Sequence, residues 1–317
     1  MKYLNVFDDK SALDSSVTSI NHGDGAFVFG VEAGQGVVDV TIYDQRHPGP
    51  NCPEVYKAYP VNMSPVKLDA SSTKKKPDVC DILYVNNEGK LTLDARTNNM
   101  ANNAIAICVI PEVTENFKNG DDSAGAVKTA RFVSIDYMSY KTPTIGSNTY
   151  NEQGMYFGNY GVTIGNVKGG TDKTSYIGGK WNTQKCLHAC TEEKNNLTNG
   201  VTNNRSTGYC APACCCVAYS TPGTKPGDWY LPMPGELYQI YAHKKAIDKK
   251  FTDIGRSGFN EEQGYGYWSS REIDSNYEYY VLLNDGAIVN DVGGNKRIIT
   301  NDKRNGRFVL GFLALEV

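Results

Sequence analysis

The residues best spaced for chemistry are cysteines. Cys186-Leu187-His188-Ala189-Cys190 and Cys210-Ala211-Pro212-Ala213-Cys214-Cys215-Cys216 give two Cys-x₃-Cys pairs, a spacing that suits a structural zinc site. Cys186, Cys190, Cys210 and Cys214 are the candidate ligands. A disulfide from Cys186 or Cys190 to one of the later cysteines would close the same loop, and we place disulfides or thiols ahead of zinc. If Cys214, Cys215 and Cys216 are extended, they point to alternating faces and cannot all converge on one ion. The four histidines, His22, His47, His188 and His243, are scattered and none sits in a metalloprotease-type or dehydrogenase-type motif. Without a nucleophile–base arrangement, a phosphate loop or paired carboxylates in motif context, the sequence argues against an enzyme.

Elements must position such groups, and the composition bounds them. The chain has 317 residues, 40% hydrophobic and 21% charged, with a net charge of −3. That balance excludes disorder, a basic nucleic-acid binder and a polybasic membrane anchor. The start, Met1 to Asp9, turns acidic before an apolar stretch forms, so neither a signal peptide nor membrane insertion is expected. Tyr 21 against Trp 3, with Gly 32, suits adaptable binding surfaces.

Along the chain, Asp9 to Asp14 is a short helical candidate. Ala26–Val31 and Val37–Tyr43, joined by a Gly-rich loop, read as a hairpin. Residues 1–48 are thus expected as an N-terminal β-hairpin segment, and the Pro-rich 49–78, with Lys74-Lys75-Lys76, reads as an exposed linker. A small β module follows over 79–125. It has an alternating pair, Cys80–Val85 and Lys90–Asp94, about the turn Asn86–Gly89, and a doubly buried run, Ala104–Ile110, ended by Pro111. Residues 126–317 form the last domain, interrupted by a loop-rich insertion over about 136–228 that is too poor in Leu and Ile to supply much core. One long helix starts at Pro234, with Leu237, Ile240, Tyr241, Ile247 and Phe251 on one face. Strands follow at Tyr277–Leu283, a turn at Asn284-Asp285-Gly286, then Ala287–Val289, Arg297–Ile299 and a buried terminal run, Arg307–Leu315.

Gly227-Asp228-Trp229-Tyr230-Leu231-Pro232-Met233-Pro234-Gly235-Glu236-Leu237 and, about thirty residues on, Tyr267-Trp268-Ser269-Ser270-Arg271-Glu272 carry a resemblance. They are similar to the WRLP-x-x-x-EL and YWSS-T-E signatures of Fibrobacter major paralogous and DUF1566-type domains, with Gly306-Arg307-Phe308-Val309 in the place of the final strand. The resemblance implies an α+β, C-type-lectin-like fold over roughly 205–317, in which Trp229 and Leu231-Pro232 wedge the helix on the sheet and Glu236 braces locally. Upstream, Asp78–Tyr84, Ile107–Pro111, Ala130–Ile135 and Met155–Asn159 resemble virion proteins of Bacteroidales-infecting, crAss-like phages, in which a small β module precedes the lectin-like domain.

Together these resemblances imply a non-enzymatic virion protein, a head fibre or tail appendage. They also imply synthesis in the bacterial cytoplasm and display on the virion surface, with the N-terminal segment docked on capsid or tail proteins. Self-association is expected, because so short a segment gains its core from partners, and the resemblance to phage fibres implies a homotrimer. A host-surface glycan or glycoprotein is the expected ligand, held by Arg271, Tyr277, Asn284, Asp285, Asn290 and Asn295, where planar amides, carboxylates and an aromatic face crowd loops that packing does not need. Turn and solvent-facing roles compete for each of these. Calcium is not expected, since the Glu-Pro-Asn and Trp-Asn-Asp ligand sets of calcium-dependent lectins are missing. The alternative is a host-encoded cell-surface adhesin or fimbrial subunit.

Overall fold

A computed structural model of the chain describes residues 60–95, 103–136, 138, 155–192, 210–259, 266–283 and 298–317, and the backbone of four short strands before them. Among these residues the protein is mixed α+β. The early strands are β1 (Val6–Phe7), β2 (Phe27–Val28), β3 (Val40–Ile42) and β4 (Tyr56–Ala58). β1 pairs with β2 in parallel and β3 with β4 antiparallel. The described parts of the two runs expected as one hairpin, Phe27–Val28 and Val40–Ile42, pair with β1 and β4. The helix candidate at Asp9–Asp14 lies outside the described residues.

The main sheet has six antiparallel strands, and its order explains which sequence runs are apolar. It reads β10 (Trp229–Tyr230), β15 (Phe312–Glu316), β8 (Val127–Ser134), β7 (Ala104–Glu115), β5 (Ile82–Val85) and β6 (Leu91–Thr92). Interior strands are covered on both faces, so β15 is buried from Phe312 to Leu315 and β7 from Ala104 to Ile110. β5 and β6 form the expected hairpin, Val85 opposite Leu91. Asn86 Oδ1 accepts from the Glu88 and Lys90 N–H groups at 2.9 Å each, and Gly89 takes φ +76°. Pro111 does not end β7. The strand runs on to Glu115 through register shifts beside Cys108, Ile110 and Val113, where a missing N–H is tolerated and Pro111 faces solvent.

This sheet crosses the expected boundary at 125/126. β7 and β8 are neighbours, and the C-terminal strand lies beside β8, so residues 79–125 and 126–317 share one core. Nor is 60–78 an exposed tether. Val61 is buried, Asn62 N–H donates to Gly227 O at 2.8 Å, and Val66 bridges Leu315, because extended Pro-rich chain can lie along a sheet and pair its backbone there. Lys75 and Lys76 do face solvent, while Lys74 pairs with Asp78 and Asp81.

A second sheet holds β11 (Gly266–Glu272), β12 (Tyr277–Leu282) and β13 (Ile298–Asp302), all antiparallel. β12 therefore pairs with 298–302. The expected turn at 284–286 and strand at 287–289 lie outside the described residues. A short pair joins β9 (Met155–Tyr156) to β14 (Gly306–Arg307), so the terminal run is interrupted at Phe308–Gly311 before β15.

The expected insertion contributes more than loop. It includes α1 (Gly179–Glu192) and α2 (Ala211–Ala218), and Phe157, Ile164, Cys186, Leu187, Cys210, Cys216 and Val217 join the core. The long helix divides into α3 (Pro234–Ala242) and α4 (Lys244–Asp253) at His243, which leaves helical geometry at φ −108°, ψ 12°. Leu237, Ile240, Ile247 and Phe251 are buried as their spacing requires, and Phe251 meets Phe259 edge-on at 5.0 Å. α3 packs between the two sheets, against β7 on one side and β11 and β12 on the other. Its first turn comes so close to the loop before α1 that a Cβ on Gly235 would lie 2.5 Å from Ser175 O.

Candidate functional site

The motif segment folds around an acidic residue. Pro234 enters α3 without a missing bond, and the Met233 N–H donates to Glu236 Oε2 at 2.7 Å, closing the first turn. The Tyr230 hydroxyl donates to Glu236 Oε1 at 2.5 Å, and Arg131 Nε, from β8, lies 3.1 Å from the same oxygen. Arg131 also pairs through Nη2 with Glu115 of β7, which accepts the Gly178 N–H at 2.8 Å. Beside them Lys180 donates to the carbonyls of Asn62 and Ser64 at 2.7 and 2.8 Å, its ammonium 4.8 Å from the Phe117 ring. Arg131, Glu115, Lys180 and Glu236 are at most 2% exposed. Burial pushes Glu236 up to about 7 against the pull of Arg131, and burial brings Lys180 down to about 7.

A second buried network lies under the three-stranded sheet. Glu272 accepts the Ile164 and Gly165 N–H groups at 2.8 Å each, and Lys303 Nζ at 2.7 Å. Lys303 also donates to Val162 O at 3.1 Å. Asn166 Nδ2 bridges Ser270 O at 2.8 Å and Glu278 Oε1 at 2.9 Å. Burial holds Glu278 well above the usual carboxylate range, against the nearby Lys303. Its Oε2 and Asn166 Oδ1 have no hydrogen-bond partner.

These are the strongest titratable clusters among the described residues, and both are sealed. Groups this buried cannot meet a substrate. Their partners instead tie the segment 157–180 to two sheets, replacing the aliphatic core that this segment lacks. The expected bracing role of Glu236 and wedge positions of Trp229 and Leu231-Pro232 agree with this geometry: Trp229 and Leu231 are fully buried, Trp229 Nε1 donates to Thr224 Oγ1 at 3.0 Å, and Pro232 O accepts the Ser270 N–H at 2.7 Å.

Of the expected ligand residues, the structure describes Arg271 and Tyr277. Arg271 is half-buried and committed inward, donating to Gly169 O at 3.3 Å and to its neighbour's carbonyl, Glu272 O, at 2.9 Å. Tyr277 is 43% exposed at the start of β12, opposite Asp302. Asn284, Asp285, Asn290 and Asn295 lie outside the described residues, in a segment anchored where Val281 faces Ile298. Strand rise puts that anchor about 14 Å from Tyr277. Tyr277 and the anchor of the 284–297 segment therefore stand at opposite ends of one hairpin.

The cysteines are helical rather than extended. Cys214, Cys215 and Cys216 lie on α2, about 100° apart around its axis, so successive thiols diverge. Cys186 and Cys210 are buried, Asn159 Nδ2 lies 3.4 Å from Cys210 Sγ, and burial raises Cys215 and Cys216 well above the ordinary thiol value. The side chain of Cys190 lies outside the described residues. Among those described, the cysteines are thiols and no three His, Cys, Asp or Glu side chains are placed to hold a metal ion.

Sequence reasoning passed over Arg131, Glu115 and Lys180, and also Trp181. The signals available were a lone Arg within an apolar strand and a third tryptophan outside both motifs.

No protein-family model and no curated protein matches this chain. Among solved structures, a fimbrial protein from Bacteroides ovatus is similar over 75% of this chain and 48% of its own, at 15% identity and a TM-score of 0.37. The chain thus spans about half the length of that protein. No helix among the described residues is long and apolar enough to cross a membrane.

Proposed function

We propose that this chain is a non-enzymatic bacteriophage virion protein, a head fibre or tail appendage, whose C-type-lectin-like domain binds a glycan or glycoprotein of the host surface. The observation that carries this reading is the placement of the resembling segments. Asp78–Tyr84, Ile107–Pro111, Ala130–Ile135 and Trp229–Tyr230 lie in or run into neighbouring strands of the main sheet, beside the terminal strand, while Tyr267–Glu272 forms β11 against α3. Blocks scattered over 200 residues of sequence thus converge as one architecture, which supports a shared fold over coincidental short matches. Attachment through residues 1–48 to capsid or tail proteins, and trimeric assembly, belong to the same proposal.

Mass spectrometry and antibody-labelled electron microscopy of density-purified phage particles test it. The expected result is the chain on the particle exterior. Its recovery instead from the envelope of uninfected cells would overturn the virion reading in favour of a host adhesin or fimbrial subunit.

A further inference from the structure

Three tryptophans occur in the chain, and the structure separates them. Trp229 and Trp268 are fully buried, whereas Trp181, on the outer side of α1, is partly exposed. Two ammonium groups lie over its ring, Lys185 Nζ at 5.0 Å and Lys168 Nζ at 5.6 Å from the centroid. Lys185 follows Trp181 by one helical turn, so the helix itself sets that pair. Lys168 comes from the preceding loop, and its backbone is clamped to α1 by Asn182, which accepts its N–H at 3.0 Å and donates to its carbonyl at 3.1 Å. Asn182 is fully buried, so the clamp is rigid.

The indole is seated as firmly. Gly120, at φ +65°, comes so close that a Cβ there would lie 2.9 Å from Trp181 Cβ and 3.3 Å from Lys168 Cγ. Only glycine lets that turn support both side chains. Asp121 sits 3.7 Å from Lys168 Nζ, both side chains 39% exposed. A half-exposed pair of that length contributes little, so the ammonium is available to a better partner. Val167, next to Lys168 in sequence, is 50% exposed.

We propose that Trp181, Lys168 and Lys185 form a binding site for an acidic sugar, a pyranose bearing a carboxylate, as found in anionic surface polysaccharides. The flat indole takes the apolar C–H face of the ring, its N–H is a donor for a hydroxyl, and the ammonium groups receive the carboxylate. Two lysines on separate elements act as point charges and suit a single carboxylate. A phosphate-rich polymer would favour arginine forks or a backbone nest, and the chain's net charge of −3 opposes a nucleic acid. This inference rests on the host-surface binding reading and names the ligand class and the residues.

Isothermal titration of the full chain with trigalacturonate, sialyllactose, maltotriose and polyglutamate tests it. Binding of at least one acidic sugar is expected, weakening with salt, with maltotriose and polyglutamate weaker by about tenfold or more. Trp181→Ala and the double variant Lys168→Gln/Lys185→Gln should each lose about tenfold in affinity, and Trp181→Phe should recover part of the first loss. Absence of binding to both acidic sugars, equal binding of maltotriose or polyglutamate, or unchanged affinity in the lysine variant, which touches no core position, would overturn the proposal. If Trp181→Ala still stains host cells as the parent does, this site is wrong while host-surface binding stands. If the parent stains none, the binding reading itself fails.

Discussion

Around Arg131, two carboxyl groups, Glu115 and Glu236, share one guanidinium while the neighbouring Lys180 binds backbone carbonyls, whereas around Lys303, Glu272 takes the ammonium and Glu278 is left outside the ion pair. The first network joins strands of the six-stranded sheet to α3. The second ties the 162–166 loop to the three-stranded sheet. Both are fully enclosed, yet only in the second does a described carboxyl, Glu278, have no ion pair, and burial raises its proton affinity well above the usual carboxylate range. The half-buried Arg271 acts on it only from a distance, with both its hydrogen bonds made to carbonyls. Buried charge can therefore organise a fold in two ways, by two carboxyls sharing one guanidinium or by one carboxyl left outside an ion pair, and the two should respond differently to mutation.

Breaking the Arg131 network should have the largest effect. Arg131→Met strands two buried carboxylates and is expected to destabilise the protein by about 3–5 kcal/mol in urea unfolding. Adding Glu115→Gln and Glu236→Gln should recover part of that loss, because the charges are then removed together. Lys303→Met should cost less, about 2–3 kcal/mol, since Glu272 keeps two backbone N–H donors. Equal losses from Arg131→Met and Lys303→Met would remove the distinction between the networks.

A finer test is Glu278→Gln, which replaces a neutral acid by a neutral amide and should cost about 1 kcal/mol or less at acidic pH. The sign of its pH effect is definite. Folded Glu278 holds its proton to higher pH than the unfolded chain does, so its contribution is complete below the ordinary value of 4.5 and is lost as pH rises through the raised value. Thermal melts across that range should fall with pH more steeply for the parent than for Glu278→Gln. Parallel curves would show that the group is ionised in the fold.

The smallest expected effect is on the surface. Trp181→Ala should change stability by about 1 kcal/mol or less, while Trp229→Ala, at the wedge, should cost about 3–5 kcal/mol. A large loss at Trp181 would make it a core residue rather than a contact for ligand.

The strands and the wedge were legible because apolar runs, turn residues and a proline-entered helix are local signals. The β5–β6 hairpin and the buried face of α3 and α4 follow from them directly. Sheet order was not legible: nothing local tells β15 to lie between β10 and β8, and so the boundary drawn at 125/126 cut through a single core. The 136–228 region was misjudged for a different reason. Its described part fills space with Phe157, cysteines and hydrogen-bonded Asn166, Asn182 and Thr183, which a count of Leu and Ile overlooks. Among the ligand candidates, strand alternation could not show that Arg271 turns inward, because its partners, Gly169 O and Glu272 O, are backbone atoms.

The central claim is that buried charge frames this protein while its function lies on the surface. Staining of host cells by purified Glu278→Gln and Trp181→Ala proteins, each shown folded by its melt, tests that division most directly. Glu278→Gln should stain as the parent does and Trp181→Ala should not. Loss of staining by a folded Glu278→Gln, with Trp181→Ala unaffected, would contradict the account.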